Sequence, residues 1–405
     1  MGLQNAQPAG RNIVIGPGVD GTENGGVFTR ASAAGYWDGA LWRDVGIDIP
    51  RFDHLYAGVS GWLYEKGNTN TLLHNCDQSN VAWVSINSTK GNNVDTGPDG
   101  AVEMDSIIED ATAGVIHGVE QAVAVVAASV YSFNVFLKAD GRDYVCLKLG
   151  STTQKTYAHL SGDGAITLDA GAVGEIHRLG DTDIYWMNML FVSPATGADT
   201  VQILSSTDGT AGSEVHAGDS AQAIKWWGAQ FEANTPSSMI RTTTLPVARA
   251  QDLMTYDYLA ADWRSVNDIS VACEFVLLDL PGLPSLGSVI QTFPTGPATD
   301  NFIVYWDSTR IVMFVTDAAN NVYAYALAPA VAPTYGSRCN FKADHVGAVN
   351  ASLAGSWNEV STIGTVPGGA GSNIMTNDPD YITIGSASLP SSIKICSLLV
   401  GDIRA

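Results

Sequence analysis

The chain has 405 residues, which is too long for a single β-sandwich, so two or three domains are expected. Its formal net charge of −21 argues against a nucleic acid or an anionic membrane surface as a partner. Only 15% of the residues are charged, whereas 45% are hydrophobic and 42 are glycine, a composition typical of a folded, turn-rich β protein rather than a disordered chain.

The cysteines and the N-terminal residues carry no signature of export or of a metal site. Five cysteines are widely spaced and form no CxxC pair, which predicts buried thiols in strands: Cys76, Cys146, Cys273, Cys339 and Cys396. Residues 1–16 lack the basic and then apolar order of a signal peptide. The longest apolar run, residues 122–128, is far shorter than a membrane span. We therefore expect synthesis in the cytoplasm and no membrane insertion.

The first 70 residues differ from the rest of the chain. Residues 1–27 are rich in Gly, Asn and Pro and cannot bury much apolar surface alone, whereas aromatic residues separated by Gly and Asp turns crowd residues 28–65. One interpretation is a set of short hairpins whose rings form a small core. The other is a surface that buries its rings against a partner. We assign residues 1–70 to an anchoring segment.

Residues 71–245 show repeated short strands without helical periodicity. The predicted strands are residues 101–108, 115–121, 130–139, 144–149, 166–168, 175–179, 184–192 and 201–204. Asp-Gly pairs at 99–100, 140–141, 163–164 and 208–209 predict the turns between them. Residues 122–129 (AVAVVAAS) would suit a helical turn by composition, but their valines favour a buried strand. This pattern indicates a jelly roll or a related sandwich.

A seam at residues 225–252 separates this region from a second β series. A strand of large rings is followed there by Pro236 and a Thr-rich connector. Beyond it, residues 269–280, 302–306, 311–316, 322–327, 338–343, 381–384 and 393–399 predict the strands of another sandwich, so we assign residues 246–405 to a second β domain. The predicted fold is all-β, with two antiparallel β-sandwiches after an aromatic-rich N-terminal segment.

Several motifs, taken as a set, resemble those of tailed-bacteriophage virion proteins. They are residues 28–32 (FTRAS), 50–53 (PRFD), 61–73, 79–83 (SNVAW), 131–139 (YSFNVFLKA) and 227–240 (WGAQFEANTPSSMI). The resemblance is to head-spike, tail-fibre and minor tail proteins that carry a carbohydrate-binding-module-like jelly roll. Residues 65–73 lack the arginine of the E-x-x-R-T-N-L pattern of that family. The C-terminal region resembles a concanavalin A-like or laminin-G-like sandwich at residues 381–386 (YITIGS).

This resemblance implies a non-enzymatic virion protein, synthesised in the host cytoplasm and often trimeric, that attaches to a glycan at the host surface. A tail fibre or tail-tip appendage joined to other virion proteins through residues 1–70 is the first hypothesis. A capsid decoration or head-fibre protein without receptor binding is the second. A surface depolymerase is the third, although no nucleophile elbow, metal-ligand spacing or P-loop is present.

Candidate ligand-binding residues lie mainly in the second half. Glycan binding needs exposed rings beside polar groups, and Trp357 in a Gly-Ser-Trp-Asn turn and Trp306 next to Asp307 are the candidates, whereas Trp83 and Trp227 are expected in the core. No cofactor is predicted except a structural Ca²⁺, because loop carboxylates suit a hard cation. The candidates for calcium are Asp378 and Asp380 around Pro379, Asp317, and the loop at residues 95–99; ordinary turns that use Asp are the alternative.

Overall fold

The computed structural model describes residues 13–20, 22, 26–55, 60–169, 172–257, 268–277, 287–293, 301–307, 310–316, 322–327, 338–346, 350–357, 360–364, 381–384 and 393–402. Within these ranges the chain is all-β, and every pair of neighbouring strands is antiparallel. No helix in the same ranges is long and apolar enough to cross a membrane. The predicted fold class is therefore confirmed.

The strands fall into three groups along the chain. The first group is β1 (Ile13–Ile15), β2 (Gly26–Thr29), β3 (Ala34–Trp37), β4 (Trp42–Val45), β5 (Phe52–Asp53), β6 (Gly61–Tyr64) and β7 (Asn68–Asn70). The second is β8 (Val84–Ile86), β9 (Ser88–Thr96), β10 (Val102–Glu109), β11 (Val115–Ile116), β12 (Gly118–Val125), β13 (Val130–Asp140), β14 (Tyr144–Leu149), β15 (Lys155–His159), β16 (Ala165–Leu168), β17 (Val173–Arg178), β18 (Ile184–Val192), β19 (Gly197–Ser206), β20 (Val215–His216), β21 (Ala223–Ala233) and β22 (Val247–Arg249). The third is β23 (Leu253–Asp257), β24 (Asp268–Leu277), β25 (Gly287–Phe293), β26 (Asn301–Asp307), β27 (Arg310–Thr316), β28 (Val322–Leu327), β29 (Arg338–Val346), β30 (Asn350–Trp357), β31 (Val360–Gly364), β32 (Tyr381–Ile384) and β33 (Ile393–Asp402).

These strands form two compact units. Unit I consists of residues 33–45 and 68–249, and unit II of residues 1–32, 46–67 and 250–405. The predicted seam at residues 225–252 contains the change from unit I to unit II at residues 249–250. Residues of the first 70 contribute strands to both units. A role of this segment in anchoring stays a prediction.

Unit I is a sandwich of two six-stranded sheets. The β13 sheet has the order β17-β18-β13-β21-β10-β9, and the β14 sheet has the order β16-β15-β14-β19-β12-β8. Alternate residues of both sheets meet in one apolar core, which includes Phe133, Met187 and Trp226 from the first sheet and Leu147 and Ile203 from the second. Because side chains alternate between the faces of a strand, this core fixes which residues of each strand point outward.

The outer face of the β13 sheet is also covered. Trp42 of the β3–β4 hairpin packs edge-on against Phe136, with ring centroids 5.4 Å apart. Gln230 and Glu232 of β21 hold residues 235–240 over the same face through hydrogen bonds to Ser237. Trp83 and Trp227 are buried, as the sequence predicts. The hairpin that was predicted for the aromatic N-terminal region therefore completes the sandwich of unit I instead of forming a core of its own.

Unit II contains an eight-stranded and a seven-stranded antiparallel sheet. The larger sheet has the order β31-β30-β29-β24-β33-β6-β5, with β1 also paired to β33; the smaller has the order β2-β23-β32-β25-β26-β27-β28. Val271, Cys273 and Phe275 are buried on one face of β24, while Glu274 between them is half-exposed. This alternation is typical of a sheet that covers a core on one side, as expected for the second sandwich.

Arginine residues of the FTRAS and PRFD motifs form a buried ionic cluster in unit II. Arg51 donates to Glu65 at 2.7 Å and to Asp252, and Arg30 donates to the other oxygen of Asp252 at 3.2 Å. All four side chains are buried. Arg30 also donates to the carbonyl oxygens of residues 32, 46 and 49. These motif residues therefore join distant segments of the chain and have a structural role.

Two predictions about the strands of unit I, at residues 122–129 and at Cys76, need correction. The strand expected to continue through residue 129 ends at Val125, because residues 126–129 turn between β12 and β13, with Ala128 at a φ of +59°. Cys76, expected in a strand, lies in a turn and is partly exposed, whereas Cys146, Cys273 and Cys339 are buried in strands as predicted. The glycines of all four predicted Asp-Gly turns have φ between +70° and +91°, which confirms those turns.

Candidate ligand-binding surface

The ligand-binding residues predicted from the sequence fall on different sheets of unit II. Trp306 and Asp307 end β26 in the seven-stranded sheet, where Asp307 lies opposite Arg310 of β27. Trp357 ends β30 in the eight-stranded sheet and lies opposite Cys339 and Val360, so the prediction that it sits in a turn is wrong. The two tryptophans are thus placed on separate sheets of this unit. Their role as a ligand site stays a prediction.

The calcium candidates give no metal site within the described ranges. Asp317, Asp378 and Asp380 lie outside the described residues. Asp95, predicted in a loop, instead belongs to β9 and binds Lys138 and Lys225 at 3.0 and 3.1 Å. Burial would raise the pKa of Asp95, but the two lysines lower it to about 2. Across the described part of the chain, no group of three or more His, Cys, Asp or Glu side chains could hold a metal ion.

The best candidate surface within the described residues is an aromatic pair on the outer face of the β14 sheet. Tyr144 of β14 and His159 of β15 lie directly opposite each other in the antiparallel register. Their rings are stacked, with centroids 4.3 Å apart and planes 6° from parallel. The His159 side chain keeps 33% of its surface exposed, so the stack borders solvent. The two parallel rings face each other and form a small aromatic platform at the end of the sheet.

Packing from the sheet and from a loop fixes the orientation of the Tyr144 ring. Gly209 lies so close to it that a Cβ atom there would be 2.8 Å from the ring, and the φ of Gly209 is +70°. A residue other than glycine would therefore be strained and would push the ring away. On the same face, two residues along each strand, Cys146 and Tyr157 form a small apolar cluster with Leu204. This cluster supports the platform from one side.

The loop that carries Gly209 is held by a buried carboxylate. Glu214 accepts hydrogen bonds from Lys155 and from the hydroxyl of Tyr157 at 2.6 Å. The Tyr157 hydroxyl in turn accepts from the backbone N–H of Gly212 at 3.1 Å. Burial raises the pKa of Tyr157, and the bond to Glu214 raises it further, so the phenol stays protonated and keeps donating. The loop is therefore fixed to the sheet beside the platform.

Polar groups surround the platform. The Asp143 carboxylate lies 3.2 Å from Nε2 of His159 and is 52% exposed. Exposed Asp208 precedes Gly209, which contacts Tyr144, and accepts from both the backbone N–H and the hydroxyl of Thr210, at 2.9 and 2.6 Å. The outer face of such a ring stack can bind the C–H face of a sugar ring, and nearby carboxylates can accept hydrogen bonds from the sugar hydroxyls. This arrangement is suited to binding.

Sequence reasoning missed this surface because its two rings meet only through strand pairing. Tyr144 begins a strand that was predicted with its exact bounds, but β15, which carries His159, was not predicted at all. The sequence of β15, KTYAH, is short and half polar, and its register with β14 brings His159 opposite Tyr144. The available signal was the Asp-Gly pair at residues 208–209, which predicted a turn. In the structure this turn lies beside Tyr144 of β14.

Comparison with known proteins finds similar solved structures, of which three are described here. The receptor-binding domain of botulinum neurotoxin type G has a TM-score of 0.26 and 9% identity, with 43% of this chain and 38% of that chain covered. The LG1–3 region of the laminin α2 chain has a TM-score of 0.24 and 11% identity, with 70% of this chain and 64% of that chain covered. The tandem CBM22 domains of Xyn10C from Paenibacillus barcinonensis have a TM-score of 0.25 and 8% identity, with 84% of this chain and 98% of that chain covered. The chain thus spans about two fifths of the neurotoxin domain.

No protein-family model matches the chain, and no curated protein matches it. TM-scores of 0.24–0.26 are too low to carry an argument about fold or function. The all-β fold therefore stands on the sheet topology, and the candidate surface stands on its own geometry.

Proposed function

We propose that this chain is a non-enzymatic β-sandwich protein that binds a glycan through the platform of Tyr144 and His159. The observation that carries the proposal is the parallel, solvent-bordering ring stack with the Asp143 carboxylate at its edge. The net charge of −21, together with Asp143 and Asp208 at the platform, disfavours a polyanionic ligand. A neutral surface glycan is the ligand that this chemistry suits.

The finer proposal is that the chain is a tail fibre or tail-tip appendage of a tailed phage. Its support is the set of sequence motifs at residues 28–83, 131–139 and 227–240. In this proposal residues 1–70 join other virion proteins, the chain assembles as a homo-oligomer, with a trimer favoured, and the glycan lies on the host surface. The protein would then be made in the host cytoplasm and reside in the virion.

A capsid decoration or head-fibre role is the second candidate, and a group of exposed aliphatic side chains favours it. Val27, Ile47 and Ile49 of unit II are 60%, 61% and 47% exposed. Val27 lies on β2, which is an edge strand of its sheet within the described residues. Exposed aliphatic residues next to a strand edge are a common setting for contacts between subunits. Cryo-electron microscopy of the virion distinguishes the two positions, at the tail or on the capsid.

The binding proposal is tested with the full-length chain on an array of neutral glycans. Tyr144→Ala and His159→Ala are expected to weaken binding about tenfold or more, since each removes a stacking surface. Tyr36→Ala is the matched control, because Tyr36 is a partly exposed tyrosine of the β3–β4 hairpin, which covers the other sheet. Wild-type binding that survives both platform substitutions would refute the proposal. Release of shortened glycan chains by the wild type would refute its non-enzymatic part and favour a depolymerase.

A further inference from the structure

The stack of Tyr144 and His159 is covered on its Tyr144 side. The next strand on this side is β19, where Ser206 lies opposite Tyr144 and is buried. The hydroxyl of Ser206 is hydrogen-bonded to that of Ser213, in the loop that follows β19. Gly209 of the same loop lies against the Cδ1–Cε1 edge of the tyrosine ring. The loop therefore occupies this side of the stack.

The His159 side of the stack borders solvent. In the register of β15 with β16, the residue opposite His159 is Ala165, which is exposed. Within the described residues β16 is the edge strand of its sheet. Side chains that lie opposite each other on neighbouring strands point to the same face of a sheet, so the outer face of the His159 ring is turned towards the space over Ala165. Tyr144 covers the inner face of that ring, so the exposed 33% of the His159 side chain belongs to its edges and its outer face.

The space over Ala165 has the width of one ring. Neighbouring strands of a sheet lie about 4.8 Å apart. The rings of Tyr144 and His159, which lie on neighbouring strands, have centroids 4.3 Å apart. A third ring over Ala165 would therefore stack on His159 at the spacing that His159 keeps from Tyr144. Alanine leaves room for such a ring because its side chain is a single methyl group. We call this space, between the outer face of His159 and the methyl group of Ala165, the Ala165 slot.

Polar groups border the Ala165 slot. The Asp143 carboxylate lies 3.2 Å from Nε2 of His159 and is 52% exposed. Asp163 is exposed in the turn that leads into β16, and Thr167 is exposed two residues after Ala165, on the same face of the strand. Ionised carboxylates only accept hydrogen bonds, whereas a threonine hydroxyl both donates and accepts. These groups suit a ring that carries several hydroxyl groups, and the carboxylates repel an anion.

We infer that one uncharged sugar ring of the glycan stacks in the Ala165 slot and that Ala165 is the residue that determines which ligands fit. This inference rests on the proposed glycan binding and narrows it to one face of one ring. The C–H face of the sugar packs against His159, and its hydroxyls donate to Asp143. A uronic acid is disfavoured, because its carboxylate would lie beside that of Asp143. Since β16 is the edge strand of the described sheet, the adjoining sugars extend past it into solvent.

The first test fills the Ala165 slot in the full-length chain. The dissociation constant is measured by calorimetry for a neutral glycan that the wild type binds on the array. Ala165→Phe places a ring where the sugar would stack and is expected to weaken binding tenfold or more. Phenylalanine suits an exposed strand position, so the Tm should stay close to that of the wild type. Ala124→Phe is the matched control. Ala124 is an exposed alanine of β12 on the outer face of the same sheet, because Val123 and Val125 on either side of it point into the core.

A second measurement examines the same place without filling it. In Ala165→Cys, the rate at which iodoacetamide modifies residue 165 is measured by mass spectrometry of the peptide that contains it. A glycan concentration of about ten times the dissociation constant should slow this reaction about tenfold, because the bound sugar covers the thiol. The same glycan should leave the reaction of Ala124→Cys unchanged.

The outcomes separate this inference from the glycan proposal. Wild-type affinity in Ala165→Phe, or a reaction of Ala165→Cys that the glycan does not slow, overturns the inference. If Tyr144→Ala still weakens binding in that case, the platform stands and only the place of the sugar is wrong. A wild-type chain that binds no glycan refutes the proposed function and this inference with it.

Discussion

The carboxyl group of Glu232 is expected to make the stability of unit I fall as the pH rises. Glu232 is fully buried and accepts three hydrogen bonds, from the backbone N–H and hydroxyl of Ser237 at 2.8 and 2.6 Å and from the amide of Gln230 at 2.7 Å. Burial raises the pKa of Glu232 from 4.5 to about 7, although these donors and Arg249 act in the opposite direction. Desolvation is the larger effect because the side chain has no access to water.

The size and sign of the effect follow from the linkage between proton binding and folding. Below pH 4.5 the carboxyl is protonated in both the folded and the unfolded chain, so it adds no pH dependence. As the pH rises from 4.5 to about 7, the unfolded chain loses this proton while the folded chain keeps it, which lowers the free energy of unfolding. The loss levels off above the folded pKa and amounts to about 3 kcal/mol.

Glu232→Gln is expected to remove this dependence, since an amide of the same shape can keep the contacts to Ser237 without a charge. Urea unfolding of wild type and variant is measured from about pH 4 to pH 8, and the difference in stability of the unit I transition is plotted against pH. The difference should grow in favour of the variant as the pH rises. A difference that is constant with pH, or that favours the wild type at high pH, would refute the reasoning.

Glu109→Gln is a control, because Glu109 is expected to change the stability with pH in the opposite direction to Glu232. Burial would raise the pKa of Glu109, but Arg142, which binds it at 2.7 Å, and other donors lower it to about 2. This carboxylate therefore contributes stability above pH 4.5 that is lost as the pH falls through its folded pKa. Its replacement should cost stability at neutral pH, where the replacement of Glu232 adds stability.

Two further substitutions test the packing of the two units. Arg51→Met should destabilise unit II by about 3–5 kcal/mol, because it leaves Asp252 buried with less compensation; an unchanged urea midpoint would contradict this. Gly228→Ala should destabilise unit I more than Gly162→Ala by about 1–3 kcal/mol in thermal or urea unfolding. Both glycines have a φ near +60°, but only at Gly228 would a Cβ collide with Met239, so equal losses would show that backbone strain alone is involved.

The strands that could be predicted from the sequence are those with regular apolar content. β14 and β18 were predicted with their exact bounds, because branched and aromatic residues fill them between clear turn signals. β9 was missed: its sequence, STKGNNVDT, has a single aliphatic residue and no buried one. It is a strand because β10 pairs with it at the edge of the sheet, and a single-sequence pattern does not contain that pairing.

The position of the aromatic N-terminal residues could be predicted only in part. Their hairpin character follows from the Gly and Asp turns, and β3 and β4 confirm it. Their packing partner does not follow, since Trp42 reaches Phe136, which lies far along the chain. The ionic cluster was missed for the same reason. Arg51 and Asp252 are separated by 201 residues, so only the folded chain brings their charges together.

In the folded chain, residues of the motifs that carry the phage resemblance hold the fold together. Arg30, Arg51 and Glu65 belong to the buried ionic cluster, and Gln230 and Glu232 hold the segment that follows β21. A resemblance that depends on such residues reports how a chain packs, because buried charges and amides tolerate few replacements. It reports nothing about a ligand of the platform formed by Tyr144 and His159.

The residues of the proposed platform, Tyr144 and His159, lie outside every one of these motifs. They project from a sheet whose strands would form equally well with other side chains at those two positions. The fold and the ligand of this platform are therefore encoded in different residues, so a related chain with the same buried motifs can keep the sandwich and bind a different glycan at the platform. For that reason the phage assignment and the glycan proposal are independent hypotheses, and the failure of one leaves the other intact.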